Sequence, residues 1–167
     1  MAHICIVMPT RNAAATLTRA VGCFDAQDHP DKSLILVDSM STDGTHNLIA
    51  GFDRRQDVTW IEEPERGLAH AINLGTAHIP AGAIFGYLGA DDFLEPGVLR
   101  IVSDHFEANP HHIGLFFDSY TARDGRDPVY RACPAETFSM ANLLRHRTIA
   151  GMQNTFLVSD VVKANPF

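Results

Sequence analysis

Residues 4–12 read Ile4-Cys5-Ile6-Val7-Met8-Pro9-Thr10-Arg11-Asn12. Five consecutive apolar side chains show no alternation, and a proline and polar residues end the run. Such a run predicts a strand covered on both faces, as in a parallel sheet between helix layers. The pattern recurs along the chain. Leu34 to Val37 ends at Asp38, Ile84 to Leu88 at Gly89, and Ile113 to Phe117 at Asp118. Thr59 to Ile61 is a shorter candidate between the second and third runs.

Helical spacing fills the gaps. Leu17, Ala20, Val21 and Phe24 form an i, i+3, i+4, i+7 stripe. Leu48, Ile49 and Phe52 form a shorter one, with Ser41 and Thr42 as cap candidates. Leu68, Ala71, Ile72 and Gly75 make a small-residue stripe suited to close packing on a sheet. Pro96 fits the first turn of a helix carrying Leu99, Val102 and Phe106. The order is βαβαβαβαβ, an α/β layered domain with a mostly parallel sheet. Further on, Asp124-Gly125 between Tyr120 and Tyr130 signals a hairpin. Ala141 to Arg147 reads as helix and Thr155 to Val158 as strand.

The 167 residues fit one domain, 1–167. The closing Asn165-Pro166-Phe167, apolar just after a helix-stopping proline, leads us to expect a longer protein. The composition, 46% hydrophobic and 20% charged, is that of a folded globule. A net charge of -7 argues against a nucleic-acid partner, which needs a basic face. No apolar run reaches the length of about 18 residues that spans a bilayer. Met1-Ala2-His3 leads straight into a strand without a basic leader, so we expect a cytoplasmic protein, at most peripheral to the inner face of a membrane. Cys5, Cys23 and Cys133 suit neither a disulfide framework nor a zinc site.

Ligands of open parallel sheets bind outside the carboxyl ends of the strands. The informative residues therefore follow each apolar run: Pro9 to Asn12, Asp38-Ser39, Glu62 to Gly67, Gly89 to Asp92, and Asp118. Acids recur there, so an anionic ligand would need a cation. Asp91 and Asp92 could supply oxygen ligands to Mg²⁺ or Mn²⁺. No G-x-G-x-x-G follows the first strand, and no P-loop, H-E-x-x-H or G-x-S-x-G occurs.

Four stretches, in order, resemble family 2 glycosyltransferases. Ile4 to Asn12 resembles the family's V-S-V-I-I-P-T-Y-N opening, and Leu36 to Thr45 its V-V-D-D-G-S-T-D-G-T. Glu65-Arg66-Gly67-Leu68-Ala69 with Asn73 and Gly75 is similar to N-x-G-L-x-x-A-x-N-x-G. Tyr87 to Asp92 with Pro96 resembles F-L-D-A-D-D…P, the metal motif. The likeness covers residues 3 to about 118 well and the rest loosely. It implies a GT-A-like, Rossmann-type α/β/α sandwich.

The same resemblance implies an inverting transfer of sugar from a nucleoside diphosphate sugar, with UDP foremost, to a saccharide or lipid-linked acceptor. Pro9, Thr10 and Arg11 would wrap the base, and Asp38 with Ser39 would meet the base or ribose. Arg66 would either reach the diphosphate or make a surface ion pair. Asp91 would contact ribose and metal, and Asp92 the metal, Mn²⁺ or Mg²⁺. The acceptor-activating base would lie past Phe167. Three positions depart from the pattern: Arg11 replaces an aromatic, Ser39 the second Asp of the base-binding pair, and Gly89 the first acid of the metal motif. Two other functions remain open, a non-catalytic nucleotide-sugar-binding module and a sugar nucleotidyltransferase. The second normally carries a basic glycine-rich loop where Pro9 to Asn12 stand.

Overall fold

A computed structural model describes residues 1–52, 54–64, 66–123, 126–133 and 152–167. The elements are β1 (Ile4–Thr10), α1 (Leu17–Asp25), β2 (Lys32–Asp38), α2 (Thr45–Phe52), β3 (Val58–Glu62), α3 (Leu68–Ala77), β4 (Ile84–Tyr87), α4 (Val98–Ala108), β5 (Gly114–Phe116), β6 (Ser119–Arg123), β7 (Arg126–Arg131), β8 (Thr155–Val158) and α5 (Ser159–Ala164). One sheet runs β3-β2-β1-β4-β8-β5, and β6 pairs with β7 alone. Strands β1 to β4 are mutually parallel, and β8 lies antiparallel between β4 and β5. This is the expected α/β/α sandwich with a mostly parallel sheet. The insertion of β8 was not legible, because its partner β4 lies some seventy residues upstream.

The continuous apolar runs serve two cores. From β1, Ile4, Ile6 and Met8 point to one face, against Leu17, Val21 and Phe24 of α1 and Leu99 and Val102 of α4. Cys5 and Val7 point to the other, with Ala71 and Ile72 of α3 and Val162 of α5. Each large side chain so buried contributes about 1.5–3 kcal/mol. Cys5 is a core residue, and its burial pushes the thiol pKa up. Gly75 lets α3 lie close on the sheet: a Cβ there would come within 2.5 Å of Val7 Cγ1.

Several local expectations change. Leu68, expected in the α3 stripe, is 54% exposed, because it opens the helix beyond the sheet edge. Pro96 precedes α4 instead of entering it, and Gly97 takes the N-cap with φ 81°. Ser41 and Thr42 do not cap α2. Asp43 accepts the Thr45 N–H at 3.1 Å and the Thr45 hydroxyl at 2.6 Å, tying down the helix start. The hairpin pairs Tyr120 with Tyr130 as expected. The turn at Asp124-Gly125 and the proposed helix from Ala141 to Arg147 lie outside the described residues. No described helix is long and apolar enough to cross a membrane.

Candidate functional site

The strand order places a topological switch between β1 and β4. Strands β2 and β3 extend to one side and β4 to the other, so a crevice opens at their common carboxyl edge. Thr10 pairs with Asp38, and Asp38 with Glu62, so these strands end level. The ladder continues one residue past the strands, with Ser39 N donating to Thr10 O and Glu63 N to Asp38 O.

Two loops above this edge are laced together. Asn12 N donates to Ser41 Oγ at 2.8 Å, and Thr42 N to Asn12 Oδ1 at 2.9 Å. Ala13 N reaches Thr45 Oγ1 at 2.8 Å, and Ala14 N reaches Asp43 Oδ2 at 3.0 Å. Asn12 and Met40 hold left-handed backbone, φ 48° and 53°. Such conformations cost about 1–2 kcal/mol each and persist where surrounding bonds fix them. Here the lacing does so. It shapes a rigid rim from residues on both loops.

The residues proposed from sequence divide into two groups. Pro9, Thr10, Asp38 and Ser39 cluster over β1 and β2. Thr10 is 2% exposed, and its hydroxyl donates to Met8 O. Asp38 is fully buried, and its carboxylate is held by Ser41, from N at 3.1 Å and Oγ at 2.5 Å. Asp38 therefore shapes the rim from beneath. Arg11 is exposed on the rim, and Arg66 is exposed just ahead of α3.

Asp91 and Asp92 stand on the β4 side, Asp91 exposed and Asp92 half-buried. Their oxygens converge over Gly89: a Cβ built there would lie 2.6 Å from Asp92 Oδ2 and 3.0 Å from Asp91 Oδ1. Space that a side chain at position 89 would take is thus filled by the two carboxylates. Burial, and next the neighbouring Asp91, push the Asp92 pKa up, while Gln153 hydrogen-bonds its carboxylate and opposes the rise. Burial, then Asp92 and Asp91, push the Tyr87 hydroxyl up as well. Two crowded anions of this kind suit a hard divalent cation, which takes one or two carboxylates and completes its shell with phosphate oxygens and water. No cluster of three or more His, Cys, Asp or Glu able to hold a metal occurs among the described residues.

A cleft of about 1470 Å³ opens beside the pair, lined by Arg19, Asp91, Asp92, Asp118, Tyr120 and Tyr130 among others. Arg19 of α1 donates to the Asp91 carbonyl at 3.0 Å. Asp118 on the far wall accepts from the Tyr130 hydroxyl and, at 2.6 Å, from Cys133 N, which together pull its pKa down. That carboxylate pins the hairpin.

Three contributors were missed in the sequence. Arg19 lies on the exposed face of a helix read only for its apolar stripe, and Gln153 is distant in sequence from Asp92. Glu63 falls inside a stretch flagged as edge loop, yet it is 4% exposed. The strand ends one residue earlier, at Glu62, and Pro64 right after Glu63 was the available signal that the chain leaves the sheet there.

The model of glycosyl transferase family 2 matches residues 5–159. An uncharacterized glycosyltransferase of Nostoc sp. is 27% identical over 119 residues, covering 67% of this chain and 37% of that protein. The succinoglycan biosynthesis protein ExoU of Rhizobium meliloti is 35% identical over 101 residues, 58% of this chain and 28% of that protein. The chain thus spans about a third of the length of these relatives. Among solved structures, S. aureus TarS 1-349 in complex with UDP-GlcNAc superposes with TM-score 0.78 at 16% identity, over 98% of this chain and 47% of that one. The mannosyltransferase PcManGT of Pyrobaculum calidifontis, in complex with GDP-Man and Mn2+, gives 0.70 at 20% identity, over 99% and 47%. The fold is therefore that of GT-A glycosyltransferases, and by its sequence the chain belongs to glycosyl transferase family 2.

Proposed function

We propose that residues 1–167 form one domain that binds the donor of an inverting, metal-assisted sugar transfer from a nucleoside diphosphate sugar to an acceptor hydroxyl. The observation that carries this reading is the convergence of the Asp91 and Asp92 carboxylates at the switch point, with the laced loop rim over β1 and β2.

In this reading the base lies over Pro9 and Thr10 under the guanidinium of Arg11, whose plane can stack on it. The diphosphate crosses the switch between β1 and β4 toward Asp91 and Asp92, with Arg66 on its outer side. Mn²⁺ or Mg²⁺ held by Asp91 and Asp92 would neutralise charge developing on the leaving diphosphate. Arg19 fixes the Asp91 backbone and so orients the carboxylate above it. The large cleft would take the acceptor. Tyr120 and Tyr130, with ring centroids 5.5 Å apart and both more than half exposed, offer apolar faces to a saccharide. Relatives in solved complexes hold UDP-GlcNAc or GDP-Man, and either base class is compatible with this layout.

A thermal-shift screen of UDP, GDP and dTDP, each with and without Mn²⁺, tests the reading. At a nucleotide concentration of about 100 times Kd, binding stabilises by about 2.7 kcal/mol. The melting temperature should rise by several degrees with nucleotide and Mn²⁺ together. The rise should vanish in Asp91→Asn/Asp92→Asn. A rise that survives this double substitution would remove the acidic pair from the site.

A further inference from the structure

Asp91 and Asp92 crowd the space over Gly89, and two like charges so placed repel each other. A tie from another part of the fold holds one of them. The side-chain amide of Gln153 donates to the Asp92 carboxylate, which also takes the Gly89 N–H from within its own turn. Gln153 is exposed and lines the large cleft together with both acids. Its backbone belongs to a single 3-10 turn, Met152–Asn154, that leads into β8. That turn is fastened from the other side. Asn154 is 6% exposed, its Nδ2 donates to Phe117 O at 2.5 Å, and Phe117 N donates to Asn154 O at 2.9 Å. Two residues on, Phe156 pairs with Gly86 of β4, the strand that leads to Asp92. Gln153 therefore reaches Asp92 from a fixed base.

An exposed glutamine gives up rotamer freedom when it is held, so this bond adds little to folding. Its consequence falls on Asp92. The amide is neutral, and it fixes the carboxylate without cancelling its charge. A lysine or arginine in its place would occupy the pair as a built-in cation. A carboxylate offers about four lone-pair sites, so two N–H donors leave room for a metal. We infer that Gln153 is a positioning residue that holds the Asp92 carboxylate in the orientation that receives the divalent cation of the donor complex. This inference rests on the metal-assisted donor reading above.

The test is Mn²⁺ binding, read by electron paramagnetic resonance with UDP and with GDP present. It compares wild type, Asp92→Asn, Gln153→Met and the double variant. Gln153→Met keeps the length of the side chain and loses the donor. Mn²⁺ affinity of the nucleotide complex should fall about 10- to 100-fold, as it does when a metal ligand loses its outer partner. The metal-free melting temperature should stay within about 2 °C of wild type. In the Asp92→Asn background the same substitution should cost nothing further, because its effect passes through Asp92. Losses that add, or wild-type Mn²⁺ affinity in Gln153→Met while Asp92→Asn loses the metal, overturn the inference and leave the donor reading standing. Gln153→Leu carries the test if Gln153→Met folds poorly, and failure of both to fold overturns the inference by making Gln153 a structural residue. If wild type and Asp92→Asn hold Mn²⁺ equally, the metal-assisted reading falls, and this inference with it.

Discussion

Gly89→Ala isolates the acidic pair. The added Cβ would stand 2.6 Å from Asp92 Oδ2 and 3.0 Å from Asp91 Oδ1. Carbon and oxygen atoms in contact normally sit about 3.5 Å apart, so Asp92 Oδ2 must retreat by about 0.9 Å. The obstructing atoms are carboxylate tips, which turn at little cost, and Gly89 does not hold positive φ. Stability should therefore fall by less than about 1 kcal/mol, a shift of about 2–4 °C in melting temperature for a chain of this size. Binding should suffer more. A displacement near 1 Å at a reacting or coordinating group can cost up to about 10²-fold. We expect Mn²⁺-dependent nucleotide affinity to drop about tenfold or more while metal-free affinity stays level. Calorimetry with Mn²⁺ and with EDTA reads both. Unchanged Mn²⁺-dependent affinity in a folded Gly89→Ala protein would show that the Asp92 carboxylate does not hold the cation.

Other outcomes follow from the same geometry. Gly75→Ala forces a Cβ to 2.5 Å from Val7 Cγ1 and 3.2 Å from Val37 Cγ2. Overpacking should outweigh the better helix propensity and cost about 1–3 kcal/mol in urea unfolding, partly relieved by Val7→Ala; a stabilised variant would contradict the close packing of α3. Asp92 has a raised folded pKa, so its charged form destabilises the fold as pH rises above the ordinary 3.8. Asp92→Asn should therefore melt higher than wild type at neutral pH, with the gap closing as pH falls to 3.8 and below; a gap independent of pH would refute the burial argument. Arg55 reaches Asp25 at 2.6 Å and Asp57 at 2.7 Å, joining the end of α1 to the start of β3, and this holds the Asp57 pKa down. Arg55→Met should lose about 1 kcal/mol at neutral pH after allowing for solvent screening. The loss should shrink in high salt and as pH falls below 3.8, and an undiminished loss there would assign it to packing alone.

The sheet was legible because its strands are apolar on both faces, a pattern that exposed loops do not imitate. Ile4 to Met8 and Leu34 to Val37 needed no partner to be read, and Leu17, Val21 and Phe24 declared the buried side of α1 by spacing. What escaped was set by tertiary context. The strand Thr155 to Val158 was visible, but its antiparallel place between β4 and β5 depends on pairing across the sheet. Leu68 looked like core because periodicity ignores where a helix ends relative to the layer beneath it. The edge acids were legible as a set, since each follows a strand. Their roles were not. The capture of Asp38 by Ser41, the burial of Glu63 and the crowding of Asp91 and Asp92 over Gly89 are angles and distances between loops.

The central claim is that Asp91 and Asp92 bring a cation to a donor diphosphate at the β1–β4 switch. Anomalous diffraction from a crystal grown with UDP or GDP and Mn²⁺ tests it most directly. The account predicts a manganese peak about 2.1 Å from a carboxylate oxygen of the pair, bridged to both phosphates, with the base over Pro9 and Thr10. A nucleotide bound without metal at the pair, or manganese held elsewhere on the chain, would contradict it.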